Sequence, residues 1–167
     1  MGDGPLESFA ATTNPTLIFG NAKLSSNSRS RKLKILTNAM RGCRKGPSEW
    51  FTGTVWIDEV VAGAPPSRFK VNRVSFEPGA RTAWHTHPMG QALHVLTGVG
   101  RVQLAGQPIQ NIGPGDSVWI EAGERHWHGA DATHTMVHLA IQEADEQGVE
   151  AVWLEHVTDQ EYSAPMA

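Results

Sequence analysis

Two histidines separated by one residue, His85 and His87, are followed four residues later by Gln91. In a β-strand successive side chains alternate between faces, so both imidazoles point the same way and can share one ion. Pro88 and Gly90 break the strand, and the amide of Gln91 can then turn back toward the same point. Two imidazoles and one amide oxygen make a partial metal site that still lacks a ligand.

A second segment rich in turn residues can supply that ligand. Gly115 begins a turn, a short strand covers 117–120, and Gly123 marks another turn before His126 and His128. We predict that His126 completes the metal site. His128 shares its face but is too crowded to join the same ion, so we expect it to line the pocket, with a core or surface position as the alternative.

The other histidines outside these segments carry weaker signals, apart from His138. His94 has the opposite strand parity to Gln91 and should face away from the ion. His134 lies in a turn and should be solvated, and His156 has no motif around it.

Short strands must position these residues, since apolar and β-branched runs alternate with Gly, Pro and acidic turns and no long helical period occurs. This spacing predicts an all-β sandwich or barrel. Gly98 and Gly100 mark a predicted hairpin, and Thr158 is a candidate N-cap of a closing helical turn. The predicted strands cover 51–60, 69–76, 93–97, 101–104, 107–112, 117–120, 133–142 and 149–154.

Charge divides the chain of 167 residues into a basic leader and an acidic body. Residues 1–46 hold eight Lys or Arg against two acidic residues, whereas the rest holds six against fifteen. We predict a disordered leader over 1–46, one domain over 47–162 and a tail over 163–167. The acidic body argues against nucleic-acid binding.

Composition also limits the compartment and the chemistry. The single cysteine, Cys43, excludes an intramolecular disulfide and suits a reducing compartment. No apolar run approaches the ~20 residues that span a bilayer, so we predict a cytoplasmic protein without membrane contact. The chain lacks GxGxxG, Walker, GxSxG and CxxC patterns, which argues against nucleotide chemistry and against a serine or thiol nucleophile.

Two motifs resemble those of the cupin superfamily. The first, G-x5-H-x-H-x3-Q-x6-G over 79–98, has Gln91 where most cupins have Glu, and the second, over 115–126, has Glu121 where Pro is usual. The strings TAWHTHPMGQ, GERHWHG and HLAIQE are similar to the small bacterial manganese cupins that act as hydroxynitrile lyases. This likeness extends over about residues 46–162.

The resemblance implies a single-domain jelly-roll barrel with a flexible N-terminal extension. It implies that the metal ligands are His85, His87, Gln91 and His126, and that His138 is the acid/base histidine. His138 and Gln142 would then point into the metal cavity, with a satisfied core histidine as the alternative for His138.

Strand parity adds two expectations about the neighbourhood of His138. Val137, Leu139 and Ile141 form a clean aliphatic face that should pack against the body of the protein. Asn72 and Val74, one face of the strand before the first motif, are candidates for the pocket wall.

Three imidazoles and an amide are neutral ligands, so a divalent ion would keep its full charge and favour Lewis-acid chemistry over oxygen activation. Mn is the expected metal by resemblance, and Fe, Co, Ni or Zn would also suit these donors. The resemblance, together with this charge argument, leads us to hypothesise a lyase that cleaves α-hydroxynitriles to an aldehyde or ketone plus cyanide, with His138 moving a proton and Gln142 orienting the small-molecule substrate. A metal-dependent dioxygenase and a non-catalytic metal or ligand sensor are the alternatives.

We also expect a homo-oligomer, a dimer or tetramer, because an exposed strand edge favours pairing.

Overall fold

A computed structural model describes residues 33–165, and within this range the regular secondary structure is almost entirely β-strand. A short 3-10 turn covers Asn38–Met40, and the helix α1 covers Asp159–Tyr162. The strands are β1 Cys43–Lys45, β2 Phe51–Thr52, β3 Val55–Ala62, β4 Phe69–Phe76, β5 Arg81–Thr82, β6 His85–Thr86, β7 Gln91–Gly98, β8 Gly100–Leu104, β9 Gln110–Ile112, β10 Ser117–Ile120, β11 His126–Ala130, β12 Met136–Glu143 and β13 Val152–Trp153.

The strands form two antiparallel sheets that enclose one main core. One sheet has the order β1-β3-β4-β12-β7-β10. The other has the order β13-β6-β11-β5-β2, and β8 pairs with both β11 and β9 beside it. Apolar side chains from both sheets, such as Phe76, Leu93 and Val102, pack together between them. The predicted all-β, single-domain jelly roll is confirmed.

Strand β12 buries the opposite face from the one that we expected. Met136 and His138 are fully buried between the sheets, whereas Val137, Leu139 and Ile141 are partly exposed on the outer surface. The prediction that the aliphatic face packs against the body is wrong. Bulky side chains of the facing sheet already fill much of the interior. The side chains on the His138 face of β12 pack into the space that is left.

The predicted hairpin at Gly98 and Gly100 is also wrong. Strand β7 pairs with β12 and β10 in the first sheet, while β8 pairs with β11 and β9 in the second. Gly98 has a φ of +83° and lies against the Thr135 carbonyl, and Gly100 packs against Met136. These glycines therefore carry the chain across from one sheet to the other instead of reversing it within one sheet.

Short elements lie near both ends of the described range. Cys43–Lys45, which we placed in the leader, pair with β3 as an edge strand, because this pairing needs backbone hydrogen bonds and no apolar side chains. Residues 1–32 lie outside the described range. Thr158 caps α1 through a capping box with Glu161, which confirms the predicted helical turn. Among residues 33–165, no helix is long and apolar enough to cross a membrane.

Candidate functional site

Strands β6 and β11 bring a group of buried histidines together between the two sheets. His85 on β6 pairs directly with His126 on β11, and their rings lie 4.1 Å apart. Ring nitrogens of His85, His126 and His128 all lie within 4.8 Å of one another. Such a group is compatible with a metal ion. Gln91 at the start of β7 and His87 lie beside it, so the structure brings the four predicted ligands and His128 into one place.

Backbone carbonyls fix the orientation of three of these imidazoles. The Nδ1 atoms of His85, His87 and His126 each lie 2.6–3.0 Å from a main-chain oxygen, so Nδ1 carries the proton and donates it. Nε2 is then an unprotonated donor atom facing the interior, as metal-binding histidines require. The accepting carbonyls belong, in the same order, to Ala83, Glu150 and Glu124.

Gln91 gives a second sign that the site is made for a cation. Its Oε1 lies 3.3 Å from Nε2 of His126, and its Nε2 donates to Oε1 of Gln142 at 3.0 Å. Because the His126 proton is on Nδ1, an amide oxygen and an imidazole lone pair face each other. Two acceptors in a buried site repel unless a cation lies between them. The donor set therefore fits a metal ion.

Three further histidine nitrogens are buried without a hydrogen-bond partner among the described residues. One is Nδ1 of His138, which does not line the cavity, and the other two are Nε2 of His87 and Nε2 of His128, whose rings do. Buried polar atoms without a partner are rare, and beside a cavity they mark places where a ligand is expected. The Nε2 atoms of His87 and His128 are thus available to an ion or to a bound substrate.

His138 lies behind His128 and outside the cavity wall. Its Nε2 is 3.3 Å from Nδ1 of His128, and the ring is fully buried against Phe76. Burial lowers the pKa of His138 to about 4, because the charged imidazolium is penalised without water. The neutral ring can accept a hydrogen bond from His128, and it would reach a substrate only through His128.

The same physical cause keeps the other imidazoles neutral. Burial, followed by repulsion from neighbouring histidines, lowers the pKa of His85 and of His128 well below 6.5. Burial also lowers the pKa of His87, and it lowers the pKa of His126 to about 4. Neutral imidazoles are the form that binds metal, so the site is ready for an ion at neutral pH.

A cavity of about 440 Å³ opens onto this group. Its polar lining includes His85, His87, Gln91 and His128, and Asn72, Val74 and Gln142 also line it. The apolar part of its wall includes Trp50, Phe51, Ile57, Ala140 and Trp153, and Arg44 and Lys70 add positive charge.

Strand parity found the histidines but missed the residues that support them. Trp153 stacks on His85 with ring centroids 4.6 Å apart, and it also stacks on Trp50. Glu150 binds His87 through its carbonyl and Gln142 through its carboxylate. Except for the contact of Glu150 with Gln142, these contacts join segments far apart in sequence, so no local pattern predicts them. The high share of tryptophan among the aromatic residues was the only signal in the sequence. His94 faces away from the site and contacts Ser117, as expected.

Comparison with known proteins agrees with the fold. A family profile described as "Cupin domain" matches residues 72–142. Over 119 residues the chain is 54% identical to an (R)-mandelonitrile lyase of Granulicella tundricola, covering 71% of this chain and 89% of that protein.

Solved structures extend the comparison. A cupin-like protein of Thermotoga maritima is 42% identical with a TM-score of 0.68, covering 73% of this chain and 91% of that one. A polyketide cyclase of Streptomyces resistomycificus has a TM-score of 0.58 at 21% identity, covering 78% and 91% of the two chains. The second likeness concerns the fold alone.

Proposed function

The chain belongs to the cupin family, and from this premise we propose that it is a metal-dependent hydroxynitrile lyase. It would cleave an α-hydroxynitrile to an aldehyde or ketone plus cyanide, or form one in reverse. Its 54% identity to a protein named (R)-mandelonitrile lyase, across 89% of that protein, carries the proposal. A cavity whose lining is partly apolar and aromatic and partly polar suits a substrate with a hydrophobic body and a small polar end.

The proposed metal ligands are Nε2 of His85, His87 and His126 together with Oε1 of Gln91. Each of these histidines is held by a backbone carbonyl, whereas Nδ1 of His128 is held by His138. We infer Mn as the ion, although three imidazoles and one amide oxygen also suit Fe, Co, Ni and Zn. A bound divalent ion would supply Lewis-acid polarisation of the substrate's polar end.

We assign the proton transfer to His128 and His138 acting as a pair. We assign the proton of the 3.3 Å contact between the two rings to Nδ1 of His128, which then donates to Nε2 of His138. With this tautomer the unpartnered Nε2 of His128, a ring that lines the cavity, carries a free lone pair. In cleavage this atom takes the hydroxyl proton of the substrate. The carbon–carbon bond then breaks, its electron pair leaves with cyanide, and the carbonyl forms. Cyanide recovers a proton as it departs, which returns His128 to its starting state.

This assignment refines the role first given to His138. His138 is fully buried behind His128, so it stabilises the tautomer of its neighbour and shares the charge that arises there. Gln142 lines the cavity beside Asn72 and Val74 and keeps one amide hydrogen for the substrate, since its other contacts are to Gln91 and Glu150.

We further infer a cytoplasmic homo-oligomer, a dimer or tetramer. The outer face of the first sheet presents Val137, Leu139 and Ile141 partly exposed, near the exposed Trp119. Burying such a face in a partner copy would remove apolar surface from water. Light scattering coupled to gel filtration would test this, and a monomer at micromolar concentration would contradict it.

The lyase proposal is tested by metal reconstitution followed by turnover. Purified protein is analysed for its metal, stripped with a chelator, reloaded with each divalent ion, and assayed with mandelonitrile under anaerobic conditions. We expect benzaldehyde release that requires the metal and does not require oxygen. Oxygen consumption, or full activity of the stripped protein, would overturn the proposal.

A further inference from the structure

A line of hydrogen bonds leads from the cavity rim to the proposed metal ligand Gln91. Oε1 of Glu150 lies 2.9 Å from Nζ of Lys70, and Oε2 of Glu150 accepts from Nε2 of Gln142 at 3.2 Å. Oε1 of Gln142 accepts from Nε2 of Gln91 at 3.0 Å, and Oε1 of Gln91 faces His126 at 3.3 Å. Each amide in this line uses its nitrogen on one side and its oxygen on the other.

The direction of the whole line is set at one end. An amide can be turned over, so that its oxygen and nitrogen exchange places, but a carboxylate can only accept. Glu150 is paired with the Lys70 ammonium and therefore requires the nitrogen of Gln142 to face it. The oxygen of Gln142 must then face Gln91, which requires the nitrogen of Gln91 in return. The oxygen of Gln91 is left pointing at the ion.

Glu150 also acts on a second proposed ligand through its backbone. Its carbonyl accepts from Nδ1 of His87 at 2.6 Å, while its side chain orders the two glutamines. The loop before it is tied by Asp145, whose carboxylate accepts from the backbone N–H groups of Gln147 and Val149. One residue of this loop thus contacts the proposed ligand His87 directly and reaches the proposed ligand Gln91 through Gln142.

We propose that Glu150 is a positioning residue that fixes the oxygen of Gln91 toward the metal ion without touching the ion. The proposal rests on the metal centre described under "Proposed function". It explains how a neutral amide, whose two ends have nearly the same shape, can serve reliably as an oxygen ligand. A carboxylate ligand would need no such device, because its two oxygens are equivalent.

The decisive variant is Glu150→Gln, which keeps the shape of the side chain. Its amide can either donate to Gln142 or accept from it, so the orientation of Gln142 and Gln91 is no longer fixed. We expect the affinity for Mn²⁺, measured by calorimetry on the metal-stripped full-length protein, to fall about tenfold, as for other residues that orient metal ligands. Glu146→Gln is the matched control. It removes the same charge from an exposed position of the same loop and should leave the affinity unchanged.

Gln91→Glu separates orientation from simple loss of charge. With this substitution Gln142 lies between two carboxylates, both of which only accept. Its nitrogen can donate to one of them, and its oxygen then faces the other without a hydrogen bond. When Glu150→Gln is added, the new amide can donate to the oxygen of Gln142, and the nitrogen of Gln142 can donate to the carboxylate at position 91. We therefore expect the double variant to bind Mn²⁺ as tightly as Gln91→Glu alone, or more tightly. If Glu150 acted only through its charge, the second substitution would lower the affinity by the same factor in both backgrounds.

Each outcome decides something. An unchanged affinity in Glu150→Gln, or an equal loss in both backgrounds, overturns the positioning role even if the wild type cleaves cyanohydrins. A wild type that binds Mn²⁺ but lacks lyase activity overturns the proposed function alone, since the positioning role is judged by affinity. A wild type that binds no divalent ion overturns both.

Discussion

His138 provides a quantitative test of the buried histidine group. Its ring is fully buried, and burial lowers its pKa from 6.5 to about 4. Between these two values the unfolded chain binds a proton that the folded chain refuses. The contribution of a neutral His138 to stability is therefore complete above about pH 6.5 and is lost as the pH falls toward 4.

The size of the effect follows from the shift. Each pKa unit corresponds to about 1.36 kcal/mol, so the full loss for this shift is about 3 kcal/mol. At about pH 5 most unfolded chains carry the proton while most folded chains do not, and the loss there is about 2 kcal/mol. Glutamine at this position has no proton to gain, yet its amide can keep a hydrogen bond to His128.

The measurement is urea unfolding of chelator-treated protein, followed by tryptophan fluorescence at about pH 7.5 and about pH 5. The unfolding free energy of the wild type should fall by about 2 kcal/mol more than that of His138→Gln between these pH values. His156→Gln, at an exposed position, is the control and should fall as the wild type does. If His138→Gln loses as much stability as the wild type, His138 is not held neutral by burial and its role beside His128 must be abandoned.

Three further outcomes are expected. His87→Ala should lose its metal at neutral pH, because the remaining ligands hold a solvent-accessible ion poorly, and elemental analysis after gel filtration will show this. Gly98→Ala should lower the urea-measured unfolding free energy by at least about 2 kcal/mol, since its φ is +83° and the new methyl group would overlap the Thr135 carbonyl. Arg44 lines the cavity and has no ion-pair partner within residues 33–165. Arg44→Ala should therefore lower kcat/KM for a ring-carboxylated mandelonitrile about two- to fivefold relative to plain mandelonitrile, as the loss of a partly exposed ion pair would.

The sequence was most informative where covalent geometry alone decides. Alternation along a strand placed His85 with His87, and His126 with His128, on common faces, and the structure brings all four together. The same rule correctly turned His94 outward. These predictions needed only the period of two, which holds wherever a strand forms.

Predictions failed where the answer depends on which strands become neighbours. The glycines around residue 99 were compatible with a hairpin, yet packing against Met136 and Thr135 sends β7 and β8 into different sheets. Likewise, the period of two gave β12 two faces but could not say which of them the opposite sheet would cover. Both choices are made by long-range packing, which leaves no local signal in the sequence.

Two observations favour different histidines, His87 or His128, as the third imidazole ligand of the metal. Proximity of the ring nitrogens favours His128, which groups with His85 and His126. The hydrogen bonds favour His87, because a backbone carbonyl holds its Nδ1 proton as in His85 and His126, whereas His128 is held by another titratable ring. A carbonyl cannot take up a proton, so it fixes one tautomer permanently, as a ligand needs. An imidazole can take up a proton and can exchange its role with its neighbour, as a proton carrier needs. The hydrogen-bond partner of each ring, more than its distance from the group's centre, therefore separates the proposed ligand from the proposed base.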